Sequence, residues 1–500
     1  MHAATGLLVS QIGYDRKDPM RALIRSPRRE ELPTDVNYQL IDALTGEVVM
    51  TGPVTYWGTL WQHYWWEADF SNPGISEAKY RLEIGSNNEV FFASAPFPIS
   101  DHLLWKEAFI PVALEQMEER SKRARNGNGW KDCGSEWREA NSHATAVIGL
   151  CDILTLGFEW LSSEEIDRLA KQLTVGCDYL ALCQDQAQAL GIDRGAVVHE
   201  IPNHLFVIPG DVMQCVVAFS YASRLLIEHA PDKSKEYLER AKLSFDYLQG
   251  SAAPYGPVGF SALNHGAPED YKLPQDWMTR DLLMMLWGSV ELWVSGADSR
   301  YKDHAVQTAR RIMKRQVPED QAEDGCYGHF YTFDDGGFTE KANIHHHVGH
   351  DTGGTFPQYI IPFLDMASRW YDHPDAPLWR ECVQRFAYGY FLPACKRNPF
   401  YLLPTGVFGQ EGLLVFSGPW HGINVSYGWA ASLALKLEIF TDDSSFRQIA
   451  VGNVQWIAGL NAGVTSDSFG SCLAWKEAIP EGAAVPYSLI YGIGSNHAKT

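Results

Sequence analysis

Asn128-Gly129-Trp130-Lys131-Asp132-Cys133-Gly134-Ser135-Glu136 sets a carboxylate between two glycines and beside an indole, just ahead of a helical pattern that starts near Ser142. The glycines allow backbone turns that other residues resist, so the run reads as a shaped loop opening onto a helix. Asp132 is then either a site carboxylate or a cap for that helix. Glu136 follows four residues later and shares the face of Asp132 if the chain is already helical there. Otherwise it is a solvated surface residue.

On the N-terminal side of this loop, the pattern from Leu7 to about Ser100 alternates with period two. Val36, Tyr38 and Leu40 fall on one face and Tyr80, Leu82 and Ile84 on another, with turn clusters such as Ser71-Asn72-Pro73-Gly74 between runs. Short strands so spaced predict a β-sandwich over residues 1–100. Beyond Ser100 the period becomes helical. Leu282, Met285, Leu286, Ser289, Val290 and Trp293 follow the template of an amphipathic helix, as do Val212, Cys215, Val216, Phe219 and Ser223, and Trp429, Leu433 and Leu437. About eleven such segments lie between 103 and 461, close to the twelve or so helices of six hairpins, and predict an all-α (α/α)6 barrel over residues 101–500. Long loops near 251–275, 317–354 and 396–424 carry Trp, His, Asp and Gly, the composition of function placed on loops over a scaffold. No fixed-length repeat supports a solenoid instead.

The central loop resembles the Gly-Trp-x-Asp-Ala-Gly-Asp motif of glycoside hydrolase family 9. Gly129, Trp130, Asp132 and Gly134 match it, Cys133 stands for Ala, and Ser135 stands for the second Asp. Val9-Ser10-Gln11-Ile12-Gly13-Tyr14, Ala68-Asp69-Phe70-Ser71 and Ala95-Pro96-Phe97-Pro98-Ile99 resemble parts of the immunoglobulin-like domain that precedes many of that family's catalytic domains. Gln455-Trp456-Ile457-Ala458-Gly459-Leu460-Asn461 and Ser488-Leu489-Ile490-Tyr491-Gly492-Ile493-Gly494 resemble late segments of the family. The resemblance implies an immunoglobulin-like β-sandwich followed by an (α/α)6 barrel, acting on a β-linked glycan or oligosaccharide by inverting hydrolysis. In that setting Asp132 orients the attacking water, and Glu136 or a more distant carboxylate serves as base. A hydroxyl at Ser135 cannot take the water's proton near neutral pH. Trp130 and Ser135 are expected to contact substrate. So are Trp420 and His421 of Pro419-Trp420-His421-Gly422. The general acid of the family matches no residue here; Glu411, Glu477 and Glu481 read as surface residues.

His345-His346-His347-Val348-Gly349-His350-Asp351 is the densest histidine run. His346 and His350 have a metal-sharing spacing, but the glycines break the helix that such a pair requires, so His350 and Asp351 are expected to bind sugar hydroxyls without a metal. His199, Glu200 and His204 read as packing and helix-capping residues. No cofactor is expected.

Composition narrows the partners. The formal charge of -20 disfavours nucleic acid. The 17 Trp and 22 Tyr suit stacking on sugars as well as core packing. No apolar run reaches membrane-spanning length. Nine scattered cysteines without a CxxC pair read as reduced thiols, several on apolar helical faces, and point to a cytoplasmic protein, or a secreted one if a signal peptide has been removed. Two rival functions fit the same residues: a sugar-binding relative that has lost catalysis, suggested by Ser135 and the missing acid, and a polysaccharide lyase, suggested by the barrel alone.

Overall fold

The computed structural model describes residues 5–87, 89–131, 138–252, 254, 276–296, 298–322, 325–331, 333–334, 339–340, 360–404, 406–408, 413–415 and 424–461. Strands fill the N-terminal part. Strands β1 (Gly6–Leu8), β3 (Arg21–Ser26), β6 (His63–Asp69) and β5 (Val48–Leu60) run side by side. The order continues through β4 (Asn37–Asp42), β7 (Ala78–Ser86), β9 (Phe97–Ser100) and β2 (Tyr14–Asp15), with β8 (Glu89–Ala93) also on β7.

Strand β5 joins the two layers. Its first half pairs with β4 (Tyr38 opposite Gly52) and its second half with β6 (Val54 opposite Ala68), with a bulge between Tyr56 and Gly58. Bulges and strong twist let one strand serve two sheets, which curls the sheet over its own core. The predicted faces hold: Val36, Tyr38, Leu40, Tyr80, Leu82 and Ile84 are all buried. Tyr14 sits edge-on to Phe70 (5.1 Å) and Phe97 (5.2 Å) at their centre, an arrangement favoured by the ring quadrupoles.

Helices follow. The first is α1 (Leu103–Ala108), continued through a π-helical stretch (Phe109–Glu115) into α2 (Gln116–Arg123). Five antiparallel pairs come next: α3 (Ala140–Leu156) with α4 (Ser163–Ala189), α5 (Pro209–Leu225) with α6 (Pro231–Gly250), and α7 (Thr279–Gly296) with α8 (Ser299–Met313). The last two are α9 (Ile361–Arg369) with α10 (Ala376–Gln384), and α12 (Asn424–Thr441) with α13 (Ser445–Ile457); α10 continues through a π-helical stretch into α11 (Leu392–Cys395).

The first helix of each pair is an inner stave. Fourteen of the 17 residues of α5 are buried, against six of 20 in its outer partner α6. The stretch Thr279–Leu292 of α7 is buried without a break, so the amphipathic reading of that helix is too narrow. A helix packed by neighbours on every side buries its polar positions too, and periodicity taken from the apolar ones shows only the strongest stripe.

The sandwich is docked on the helices. Asp15 of β2 accepts the backbone N–H groups of Leu103 and Leu104 (3.4 Å to the latter), satisfying donors at the start of α1. Arg21 donates to the Pro399 carbonyl (3.1 Å), pairs with Glu67 (2.7 Å) and lies over the Tyr401 ring. Trp65 packs edge-on against Phe400 (5.2 Å), which in turn meets Trp456 (5.0 Å). The seven described cysteines are all buried and unbridged, as expected of reduced thiols on apolar faces.

Candidate functional site

The candidate site is built around the two described limbs that flank residues 132–137, namely 128–131 and 138–139, at the start of α3. Gly129 has φ +70°, a left-handed conformation, and a Cβ there would lie 2.5 Å from His143 Nε2. Glycine is therefore required where the chain passes over the His143 ring.

His143 of α3 straps the two limbs together. Its Nε2 accepts the Trp130 backbone N–H (2.9 Å), and its Nδ1 lies 2.9 Å from the Glu139 carbonyl oxygen. One nitrogen accepts and the other donates, so the partners require the neutral imidazole protonated at Nδ1. Burial pushes this histidine down to about 4, with the nearby Arg138 charge acting in the same direction. Arg138 is a second strap. Its buried guanidinium donates to the carbonyls of Arg125 (2.8 Å), Asn128 (2.8 Å) and Ile201 (3.1 Å) and lies over the Tyr179 ring, while the Tyr179 hydroxyl donates to the Arg138 carbonyl. Lys131 is held from the other side, its N–H donating to the Arg120 carbonyl (3.1 Å) and its own carbonyl accepting from the Arg120 guanidinium (2.7 Å).

Trp130 supports this arrangement from beneath. Only 3% exposed, its indole stacks on His143 and its Nε1–H donates to Gln172 of α4 (2.9 Å). A ring so placed is core, which differs from the substrate contact expected of it. The burial comes from Gly176, which leaves room for the indole; a Cβ there would run into the ring.

A charged cluster flanks the straps. The hairpin of β10 (Val198–Glu200) and β11 (His204–Val207) joins the end of α4 to the start of α5, and Glu139 bridges to it at Glu200. His199 Nδ1 lies 2.7 Å from Asp211 of α5, and its Nε2 lies 3.7 Å from Glu139. Burial opposes a charge on His199, but the two carboxylates outweigh it and raise the imidazole to about 10, so it is an imidazolium at neutral pH. Burial pushes the Asp211 carboxyl up while the imidazolium pulls against it. Next to this triad, His204 pairs with the fully buried Glu200 (2.7 Å). Of the reading of His199, Glu200 and His204 as packing and helix-capping residues, the packing holds for the buried His199 and Glu200, while the capping is corrected: the residue before α5 is Ile208, which makes no side-chain cap, and the histidines form ion pairs.

Of the sequence candidates, Asp132, Ser135, Glu136, His350, Asp351, Trp420 and His421 lie outside the described residues. The structure adds Arg138, Glu139, His143, Tyr179, His199 and Asp211. One signal for His143 was present in the sequence, since it shares a helical stripe with Val147, Cys151 and Leu154 inside an apolar run, where an imidazole must find partners. His199 and Asp211 had no such signal, because their pairing depends on how the hairpin folds back on α5. Among the described residues, no group of three or more His, Cys, Asp and Glu has the geometry to hold a metal ion, and no helix is long and apolar enough to cross a membrane.

An immunoglobulin-like β unit is thus docked on an α/α helical unit. The chain shares that fold with solved structures of glycoside hydrolase family 9. A metagenome-derived family 9 endoglucanase matches 98% of this chain and 91% of its own at 15% identity and a TM-score of 0.63. A family 9 protein of Bacteroides ovatus matches 99% and 94% at 14% identity, also at 0.63. A single mutant of a thermostable endoglucanase from Alicyclobacillus acidocaldarius matches 98% and 90% at 13% identity and 0.63. These likenesses bear out the resemblance and the fold class read from the sequence. The sequence itself matches no family model and no curated protein.

Proposed function

We propose that this protein is a glycoside hydrolase that cleaves a β-linked glycan or oligosaccharide by inverting hydrolysis, with residues 1–100 as a supporting domain and 101–500 as the catalytic one. The observation that carries this reading is the double strapping of residues 128–131 and 138–139, which flank Asp132 in the chain, at the start of an inner helix of the α/α unit. Arg138 and His143 fix both limbs of the segment that carries Asp132, and holding a water and a sugar carbon in line demands such fixed geometry. Asp132 orients the water. Glu136 or another carboxylate near the loop accepts its proton, since Ser135 cannot. Trp420, His421, His350 and Asp351 line the sugar subsites, and the solved structures that share the fold include one in complex with a cellobiose-like isofagomine.

Incubation with a panel of aryl β-glycosides and β-linked oligosaccharides, followed by reducing-end measurement, tests the reading. New reducing ends support hydrolysis. Binding without turnover would favour a sugar-binding relative, for which Ser135 is the specific observation. Absorbance from an unsaturated uronate would show lyase chemistry instead.

A further inference from the structure

Resting on the hydrolase reading, we infer that Tyr179 is a positioning residue, whose hydroxyl locks the 138–139 limb to the β10–β11 hairpin so that the two act as one rigid unit. The links form a closed circuit. The Tyr179 O–H donates to the Arg138 carbonyl, the Tyr179 oxygen accepts the Ile201 N–H (3.3 Å), and the Arg138 guanidinium returns to the Ile201 carbonyl (3.1 Å). A hydroxyl has one proton to give and lone pairs to receive with, so one side chain satisfies a carbonyl on one segment and an N–H on another. Tyr179 and Arg138 are both buried, where such bonds are stronger than in water.

The same ring reaches the other limb. It lies 4.2 Å from the His143 ring, which holds the Trp130 N–H, and a Cβ at Gly129 would stand 2.8 Å from it. Arg138, 5.1 Å from the centre of the Tyr179 ring, carries the circuit on to the Arg125 and Asn128 carbonyls. Tyr179 therefore stands where 125–131, 138–143, α4 and the hairpin meet, and the circuit lies wholly within the described residues. Its anchor is firm, since α4 opens on a capping box at Ser162 and packs along α3. A misplacement of about 1 Å caused far from the chemistry can cost about 100-fold in rate, so a lock of this kind governs turnover without touching substrate.

The test compares wild type with Tyr179→Phe, which keeps the ring against His143 and removes only the hydroxyl. Hydrogen exchange read by mass spectrometry should quicken by about tenfold or more in peptides covering 138–143 and 198–207 together, with peptides of α6 and α8 unchanged. On a β-glycoside that wild type hydrolyses, kcat should fall about 10- to 100-fold with KM little changed. Arg138→Lys attacks the circuit from its other side, because a compact ammonium cannot span the Arg125, Asn128 and Ile201 carbonyls. The double variant should be no slower than the slower single one, since both remove the same lock. Quickened exchange in only one of the two segments, wild-type kcat in Tyr179→Phe, multiplied losses in the double variant, or a Tyr179→Phe that fails to fold each overturns the inference and leaves the hydrolase reading standing. Were wild type to hydrolyse no β-glycoside, that reading would fall, and the paired exchange alone would decide whether the lock exists.

Discussion

His143 Nε2 accepts the Trp130 backbone N–H at 2.9 Å, and this bond ties the chain two residues before Asp132 to α3. It needs a neutral imidazole. In the folded protein burial holds His143 down to about 4, below an ordinary histidine near 6.5, so the unfolded chain binds the extra proton across that window. This contribution is fully present above about 6.5 and is lost as pH falls toward 4. His143→Gln keeps one donor and one acceptor and has no charge to gain, so its melting temperature should fall less than that of wild type between pH 7 and pH 4. His143→Ala should destabilise by about 1–3 kcal/mol at pH 7, as expected for an orphaned buried N–H. Thermal melts across that pH range check both.

Gly129→Ala should damage the same strap from the other side. The substitution places a methyl carbon 2.5 Å from His143 Nε2 at a position with φ +70°. Left-handed backbone costs a non-glycine residue about 1–2 kcal/mol before any clash, so a loss of more than that in denaturant unfolding is expected.

Asp365 of α9 is expected to behave in the opposite sense at the far end of the helical unit. There Arg224 pairs with Glu291 (2.7 Å), Tyr221 donates to Asp152 (3.0 Å), and Lys436 donates to the same carboxylate (3.2 Å). Burial, reinforced by the Glu291 charge, raises Asp365 to about 6 against the pull of Arg369, Lys436 and Arg224. A carboxyl raised on folding holds its proton better in the native state, so stability declines as pH rises from about 4 through 6. Asp365→Asn should therefore be more stable than wild type at pH 7.5, by up to about 1–3 kcal/mol, with the gap closing by pH 4. Paired melts of the two proteins settle the sign.

Phe400 is a test of docking. Buried among Trp61, Trp65 and Trp456, it ties the β unit to the helices. Phe400→Ala should cost about 3–5 kcal/mol, the usual range for a truncated core aromatic. Residues 101–500 expressed alone should expose this aromatic face and aggregate or melt earlier. An unchanged melting temperature in either case would mean the two units are independent.

Asp132→Asn should reduce turnover of a confirmed substrate by about 10²–10⁴-fold, the range associated with losing a catalytic carboxylate. Ser135→Asp should change the wild-type rate by less than about tenfold if another carboxylate near the loop already serves as base. Single-turnover rates of wild type and the two variants on one substrate are the measurement.

Much of this molecule was legible as pattern. The period-two faces around Tyr38 and Leu82 and the helical stripes are local properties, because pleat and helix pitch fix which residues share a side. Those patterns gave both units and their order. Tertiary structure alone decided which helices lie inside, as α7 shows, since burial on all sides depends on neighbours distant in sequence. It also turned Trp130 into the core, where Gly176 makes room and Gln172 takes its N–H. His199 and Asp211 are twelve residues apart, with a hairpin between them. Their charge pairing with Glu139 exists because that hairpin folds back over the start of α3, and Coulomb attraction in a buried site depends on distance through space, which sequence spacing does not reveal.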